Sequence, residues 1–281
     1  MIEFLQAVLF GIVEGITEWL PISSTGHMIL LDEFVKLDVT PEFWEMFLVV
    51  IQLGAILAVV LLFFPKIWPF GRKDNNSSAK GILAYCRQDV WKLWFRIIVA
   101  CLPAAVVGIA FDEFFEELFY NSICVAVMLI LFGIGFIIIE NRNQRTVPKV
   151  KSLNEITYRM ALIIGMFQLI AAVFPGTSRS GATILGAILI GVSRTVAAEF
   201  TFFLAIPVML GASLLKIIKF GFSFTGNELM ILVTGMVTAF LVSILVIKLL
   251  MGYIKKHDFK VFGWYRIILG VVVLLYFGIV K

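Results

Sequence analysis

Long apolar runs separated by short polar breaks fill most of this chain, and the runs are continuous rather than alternating residue by residue. A continuous run of about 20 residues fits a helix crossing a bilayer core. Alternation would instead argue for a β-barrel. The pattern predicts about six spanning helices, at roughly 43–64, 93–112, 121–140, 195–218, 228–250 and 262–280. Two stretches, 2–37 and 156–192, read differently. Each has an apolar arm, a polar break containing proline, and a short second arm, about 28–37 and 182–192. Neither is long enough for two spans, so each predicts a re-entrant helical hairpin that enters and leaves on one side. A pair of kinked full spans is the alternative. Irregular backbone at that depth needs protein or water around it.

The two breaks look like copies. The first reads Pro21-Ile22-Ser23-Ser24-Thr25-Gly26-His27 and the second Pro175-Gly176-Thr177-Ser178-Arg179-Ser180-Gly181. Gly11 aligns with Gly165, Glu14 with Gln168, Pro21 with Pro175 and Ser24 with Ser178, at a constant offset of 154 residues. The expected architecture is an all-α polytopic membrane protein, one transmembrane domain over 1–281. Repeat one covers about 1–140 and repeat two about 155–281. Three spans separate the hairpins, so the second copy is inverted relative to the first. Interrupted segments paired in this way point to a binding site where the repeats meet.

Charge placement sets the expected orientation. With both ends of the first hairpin on one side, the segment 65–92 lies on the other, carrying Lys66, Arg72, Lys73, Lys80, Arg87 and Lys92. That side also receives Arg142, Arg145, Lys149, Lys151, Arg194, Lys255, Lys256 and Lys260, whereas the 113–120 loop opposite holds Glu113, Glu116 and Glu117. The basic side is cytoplasmic by the positive-inside rule, which puts both termini outside. The chain begins Met-Ile-Glu and its first basic residue is Lys36, so no cleavable signal is expected.

Composition agrees. Hydrophobic residues make up 61% and charged residues 15%, against about half and a quarter in soluble domains. Mean hydropathy is +1.02. The net charge of +4 reflects the basic loops and suits anionic lipid rather than nucleic acid. Cys86, Cys101 and Cys124 are scattered without metal or redox spacing, and read as packing residues. Small residues such as Gly133, Gly135, Gly211 and Ala212 suit helix packing within or between protomers, and a homodimer is compatible with them.

The chemistry sits in the breaks. Glu14 and Glu18, four apart, share one helix face. At membrane depth such carboxylates need a cation, a shared proton or a basic partner. Mg²⁺ or Ca²⁺, held by one or two carboxylates plus substrate phosphates, would serve. Ser23, Ser24 and Thr25 suit the opening of the return helix, whose first N–H groups favour an anion. Gly26 permits unusual dihedrals there. The second break adds Arg179, a planar donor fork matched to phosphate oxygens, flanked by Ser178, Ser180 and Thr183. His27 can act as base, acid or nucleophile. Two acids, a histidine, hydroxyls and an arginine converging from two hairpins suit phosphoryl transfer. No Walker loop, HExxH or GxSxG motif is present.

At these residues the chain resembles undecaprenyl-diphosphate phosphatase, the bacitracin-resistance family of integral membrane phosphatases. Its marks are an ExxxE followed by PxSSTGH, and a PGxSRSxxT block in the second half. Here they stand unbroken as Glu14 to Glu18, Pro21 to His27 and Pro175 to Thr183. The resemblance implies hydrolysis of undecaprenyl diphosphate to undecaprenyl phosphate, recycling the carrier lipid of the cell wall. It implies a site open to the outer face of the plasma membrane and a divalent cation. Glu14 and Glu18 would bind metal or move protons, and Ser24 or His27 would be nucleophile or base. Ser23, Thr25, Gly26, Thr177, Ser178, Ser180 and Thr183 would contact diphosphate, and Arg179 would stabilise transition-state charge. The rival class is a polyprenyl-phosphate flippase, which needs the same anion site. A purely structural subunit would not maintain paired polar breaks.

Overall fold

A computed structural model describes residues 2–71, 85–144 and 146–280. The expected basic residues Arg72, Lys73, Lys80 and Arg145 lie outside the described residues, as do the side chains of Glu113 and Glu116. The described chain is helical, with two isolated bridges and no named strand. In order it runs α1 (Ile2–Thr17), α2 (Ser24–Phe34), α3 (Pro41–Val50), α4 (Gln52–Ile67), α5 (Gln88–Phe119) and α6 (Ser122–Asn143). There follow α7 (Tyr158–Val173), α8 (Arg179–Leu189), α9 (Arg194–Phe220), α10 (Gly226–Tyr253) and α11 (Lys260–Leu275). Six helical stretches are long and apolar enough to cross a membrane, α3 and α4 together forming the first over Pro41–Ile67. Outward faces carry Leu131, Leu241, Leu249 and Ile268, all more than half exposed, as lipid-facing helices require.

The element order reads twice. A short arm, a break and a shorter arm precede three crossings in each half. The halves interlock: α1 packs along α10, α7 packs along α5, and α6 packs along α11. Two glycines 154 residues apart permit the first two contacts. A Cβ on Gly11 would meet the Gly235 carbonyl oxygen at 2.6 Å, and one on Gly165 would strike the Ala100 backbone. Lipid tails are as apolar as leucine, so helices gain affinity here through close backbone approach. Gly133 likewise opposes Gly263, within the chain.

Ion pairs follow the same two-fold logic. Glu45 on α3 meets Lys216 near the end of α9 at 3.2 Å. Glu199 near the start of α9 meets Lys66 at the end of α4 at 2.7 Å. Thus the first crossing and α9 run antiparallel and are clasped at both ends.

Two boundaries differ from expectation. The acidic 113–120 segment is helical as far as Phe119, because the chain resumes its helix beyond a kink at Phe111 within α5. Its Glu, Phe and Leu residues suit a helix and no Gly or Pro stops it. The chain turns only at Asn121, whose side chain accepts from Cys124 N at 2.8 Å and caps α6. The return arms also start earlier than 28 and 182, at Ser24 and Arg179. The motif residues are therefore the first helical turns themselves.

Candidate active site

Each apolar arm ends at a proline-containing turn and the chain reverses into a capped helix. Ser23 caps α2, its hydroxyl accepting from Gly26 N at 3.3 Å. Ser178 caps α8 in the same way, accepting from Gly181 N at 3.1 Å. Both caps hold left-handed backbone, φ 74° at Ser23 and 68° at Ser178, the only non-glycine positive φ values among the described residues. Such geometry costs about 1–3 kcal/mol per residue and persists where the surroundings enforce it.

These caps correct the repeat register. The sequence alignment pairs Ser24 with Ser178, but the structural mate of Ser178 is Ser23. The second turn is one residue longer and takes up the extra residue around Gly176, at φ 89°. Ser24 is consequently the mate of Arg179: both occupy the first position of a return helix.

Glu18 joins those two mates. Ser24 Oγ donates to Glu18 Oε2 at 2.9 Å, and Arg179 Nη2 donates to Glu18 Oε1 at 2.9 Å. The second hairpin has Ala172 where the first has Glu18, so one carboxylate serves both halves. Ser180 Oγ donates to the Glu18 carbonyl at 3.1 Å, fastening α8 to the end of α1. Arg179 Nη1 donates to the Thr201 carbonyl at 3.1 Å. Thr183 Oγ1 donates to the Arg179 carbonyl at 2.8 Å and accepts from Thr201 Oγ1 at 2.9 Å. Thr201, on α9, carried no sequence signal beyond its polarity within an apolar run.

The other predicted residues are distributed around this centre. Glu14, Ser24 and Thr25 line a cavity of about 440 Å³ bounded by α2, α3, α4, α7 and the end of α5. Glu18 is one hydrogen bond from that wall, through Ser24, and Arg179 is two, through Glu18. Ser23, Ser178, Ser180 and Thr183 commit their hydroxyls to the scaffold. Thr177 is fully buried and its hydroxyl has no partner. The same holds for both amide atoms of Gln168, the mate of Glu14.

His27 is not brought to this cluster. Its Nδ1 bonds the Ser23 carbonyl at 2.7 Å, so Nδ1 carries the proton. Its Nε2 meets the Tyr265 hydroxyl at 2.7 Å, and the two rings lie parallel. Both nitrogens are thus engaged, Nδ1 at the cap of its own helix α2 and Nε2 on α11. Tyr265 and its neighbour Arg266 were missed by sequence reasoning. Arg266 could have been found, since a lone arginine within the last apolar run is a site hypothesis by default.

A divalent cation fits this donor set in part. Glu14 is fully buried beside Glu18 and its Oε1 has no partner. Both Glu18 oxygens are already occupied. Among the described residues no group of three or more His, Cys, Asp or Glu is assembled to hold a metal unaided. Hard-cation chemistry, in which substrate phosphates complete the shell, is what Glu14 can support.

The chain matches the family model for bacitracin resistance protein BacA over residues 7–272. It is 66% identical over 278 residues to an undecaprenyl-diphosphatase of Desulfitobacterium hafniense, covering 99% of this chain and 97% of that one. It is 63% identical over 279 residues to undecaprenyl-diphosphatase 1 of Clostridium acetobutylicum, covering 99% of each. An undecaprenyl-diphosphatase of Acetivibrio thermocellus is 57% identical over 281 residues and the full length of both.

Proposed function

The chain belongs to the BacA family, and on that premise we propose that it is a multi-pass membrane hydrolase converting undecaprenyl diphosphate to undecaprenyl phosphate and phosphate. High identity across whole chains supports the activity. The observation that carries the reading to particular residues is the Ser24–Glu18–Arg179 chain, which unites a hydroxyl nucleophile, a base and a phosphate-binding cation across the repeat junction.

In the proposed sequence, Ser24 Oγ attacks the terminal phosphorus and passes its proton to Glu18, 2.9 Å away. The Oγ–P bond forms as the bond to the bridging oxygen breaks, and undecaprenyl phosphate leaves. Water then attacks the phosphoserine; the Oγ–P bond breaks as Glu18 returns its proton to Ser24 Oγ, and phosphate leaves with the oxygen and protons of the water. Arg179 exchanges its contact with Glu18 for phosphate oxygens as Glu18 takes the proton, a charge-assisted fork suited to the equatorial oxygens of the transition state. Mg²⁺ or Ca²⁺, when bound, would neutralise diphosphate charge, and Glu14 Oε1 would hold it. Thr25 faces the cavity and would contact the headgroup. His27 as nucleophile is less well supported, because neither ring nitrogen is free.

We place the protein in the bacterial plasma membrane with both termini outside and the cavity opening outward, on the distribution of Lys and Arg. The test of the activity is phosphate release from undecaprenyl diphosphate by purified protein in detergent. A flippase has no bilayer to act across there, so absence of phosphate release would overturn the hydrolase reading.

A further inference from the structure

Arg266 lies on α11, outside both hairpins, and is fully buried. Among the described residues it has no carboxylate within ion-pair distance. Its guanidinium instead donates to the turns at both breaks: Nη1 to the Pro21 carbonyl at 3.2 Å, and Nη2 to the Gly176 and Thr177 carbonyls at 3.0 and 2.6 Å. Its flat face lies 5.7 Å from the centre of the Phe132 ring. Gly181 leaves it room, since a Cβ there would meet Nη1 at 2.6 Å.

A buried cation without a counter-charge is costly unless hydrogen bonds replace its lost hydration. The snapped arms supply those acceptors. A helix that stops inside the protein leaves carbonyls without partners, and here both turns aim such groups at one side chain. A guanidinium presents several donors in a fixed plane, so it can hold both turns at a set separation. Pro21 is three residues before Ser24, and Thr177 two before Arg179. The distance across Arg266 therefore sets the distance between the two groups that meet on Glu18.

We propose that Arg266 is a positioning residue for the reaction: by bonding the carbonyls of both broken turns, it fixes Ser24 and Arg179 in the register that Glu18 bridges. It touches neither the cavity nor the reacting atoms. Its removal loosens the alignment of nucleophile and phosphate-binding cation. The effect falls on the transition state, where misplacement by about 1 Å can cost a hundredfold in rate. Substrate binding, made through the cavity wall and the acyl chain, is largely retained.

The inference rests on the proposed hydrolysis, so wild-type protein is assayed in parallel. No phosphate release by wild type would refute that activity and this role together. With wild type active, Arg266→Met and Arg266→Lys are purified in detergent, their folded fraction is measured by size exclusion and thermal unfolding, and kcat and KM are determined per folded molecule. Arg266→Met is expected to lose at least 100-fold in kcat with KM within about threefold of wild type. Arg266→Lys keeps the charge without the planar fork and is expected to lose at least tenfold in kcat. If Arg266→Met does not fold, the lysine variant decides. Wild-type kcat per folded molecule in either variant, or loss of folded protein in both, would assign Arg266 to stability alone and overturn the proposal.

Discussion

At the scale of single residues, the informative groups are those whose polar atoms are either shared or left over. Glu18 is shared: each of its oxygens takes one donor, from opposite halves of the chain. Glu14 is left over, with a buried oxygen that has no partner. Different losses follow. Arg179→Ala removes a preorganised cation from the phosphate and is expected to cost about 3 kcal/mol of transition-state stabilisation, or about 10²-fold in kcat. Steady-state turnover near wild type would remove Arg179 from the chemistry. Ser24→Ala is expected to abolish a phosphoenzyme that acid quench and peptide mapping otherwise place on Ser24. A label found on His27 would transfer the nucleophile role. Glu14→Gln is expected to raise the concentration of Mg²⁺ or Ca²⁺ needed for half-maximal turnover at least tenfold, and a chelator to stop the wild type reversibly. Unchanged cation dependence would separate Glu14 from the metal. The motif residues themselves were legible in sequence. Their division of labour was not, because whether a hydroxyl caps a helix or faces a cavity depends on a dihedral angle that the letters do not carry. Ser23 and Ser24 are identical neighbours, yet the first caps α2 and the second meets Glu18.

At the scale of elements, the broken arms were readable from proline, glycine and hydroxyl clusters between apolar runs. The one-residue difference between the turns was not, because Pro21/Pro175 and Ser24/Ser178 both align at the same spacing. The caps at Ser23 and Ser178 show where the extra residue is accommodated. Packing between arms and crossings depends on glycines whose partners lie far away in sequence. Gly165→Leu would push a side chain into the Ala100 backbone, which cannot yield as a side-chain tip can. Overpacking of this kind costs about 1–3 kcal/mol. A drop in detergent melting temperature for Gly165→Leu, set against no change for a leucine at Gly211, where a Cβ meets nothing within 4 Å, is the expected result. Equal melting temperatures would show that α7 does not depend on this close approach.

At the scale of the whole molecule, six crossings and two short hairpins were written in the lengths of the apolar runs. The interlocking of the halves was not, since nothing local says that α1 lies on α10 rather than on a helix of its own repeat. Arg266 belongs to that hidden level: it is eighty-nine residues from the nearer turn, at Thr177, and becomes intelligible only when both turns converge on α11. The central claim is that one carboxylate, Glu18, couples the two halves into a phosphatase. Its most direct measurement is phosphate release from undecaprenyl diphosphate in detergent by wild type and by Glu18→Gln, each with its folded fraction determined. The account predicts steady release by the wild type and a loss of at least about 10³-fold in the variant, since base and arginine partner disappear together. Turnover by a folded Glu18→Gln protein at the wild-type rate would contradict it.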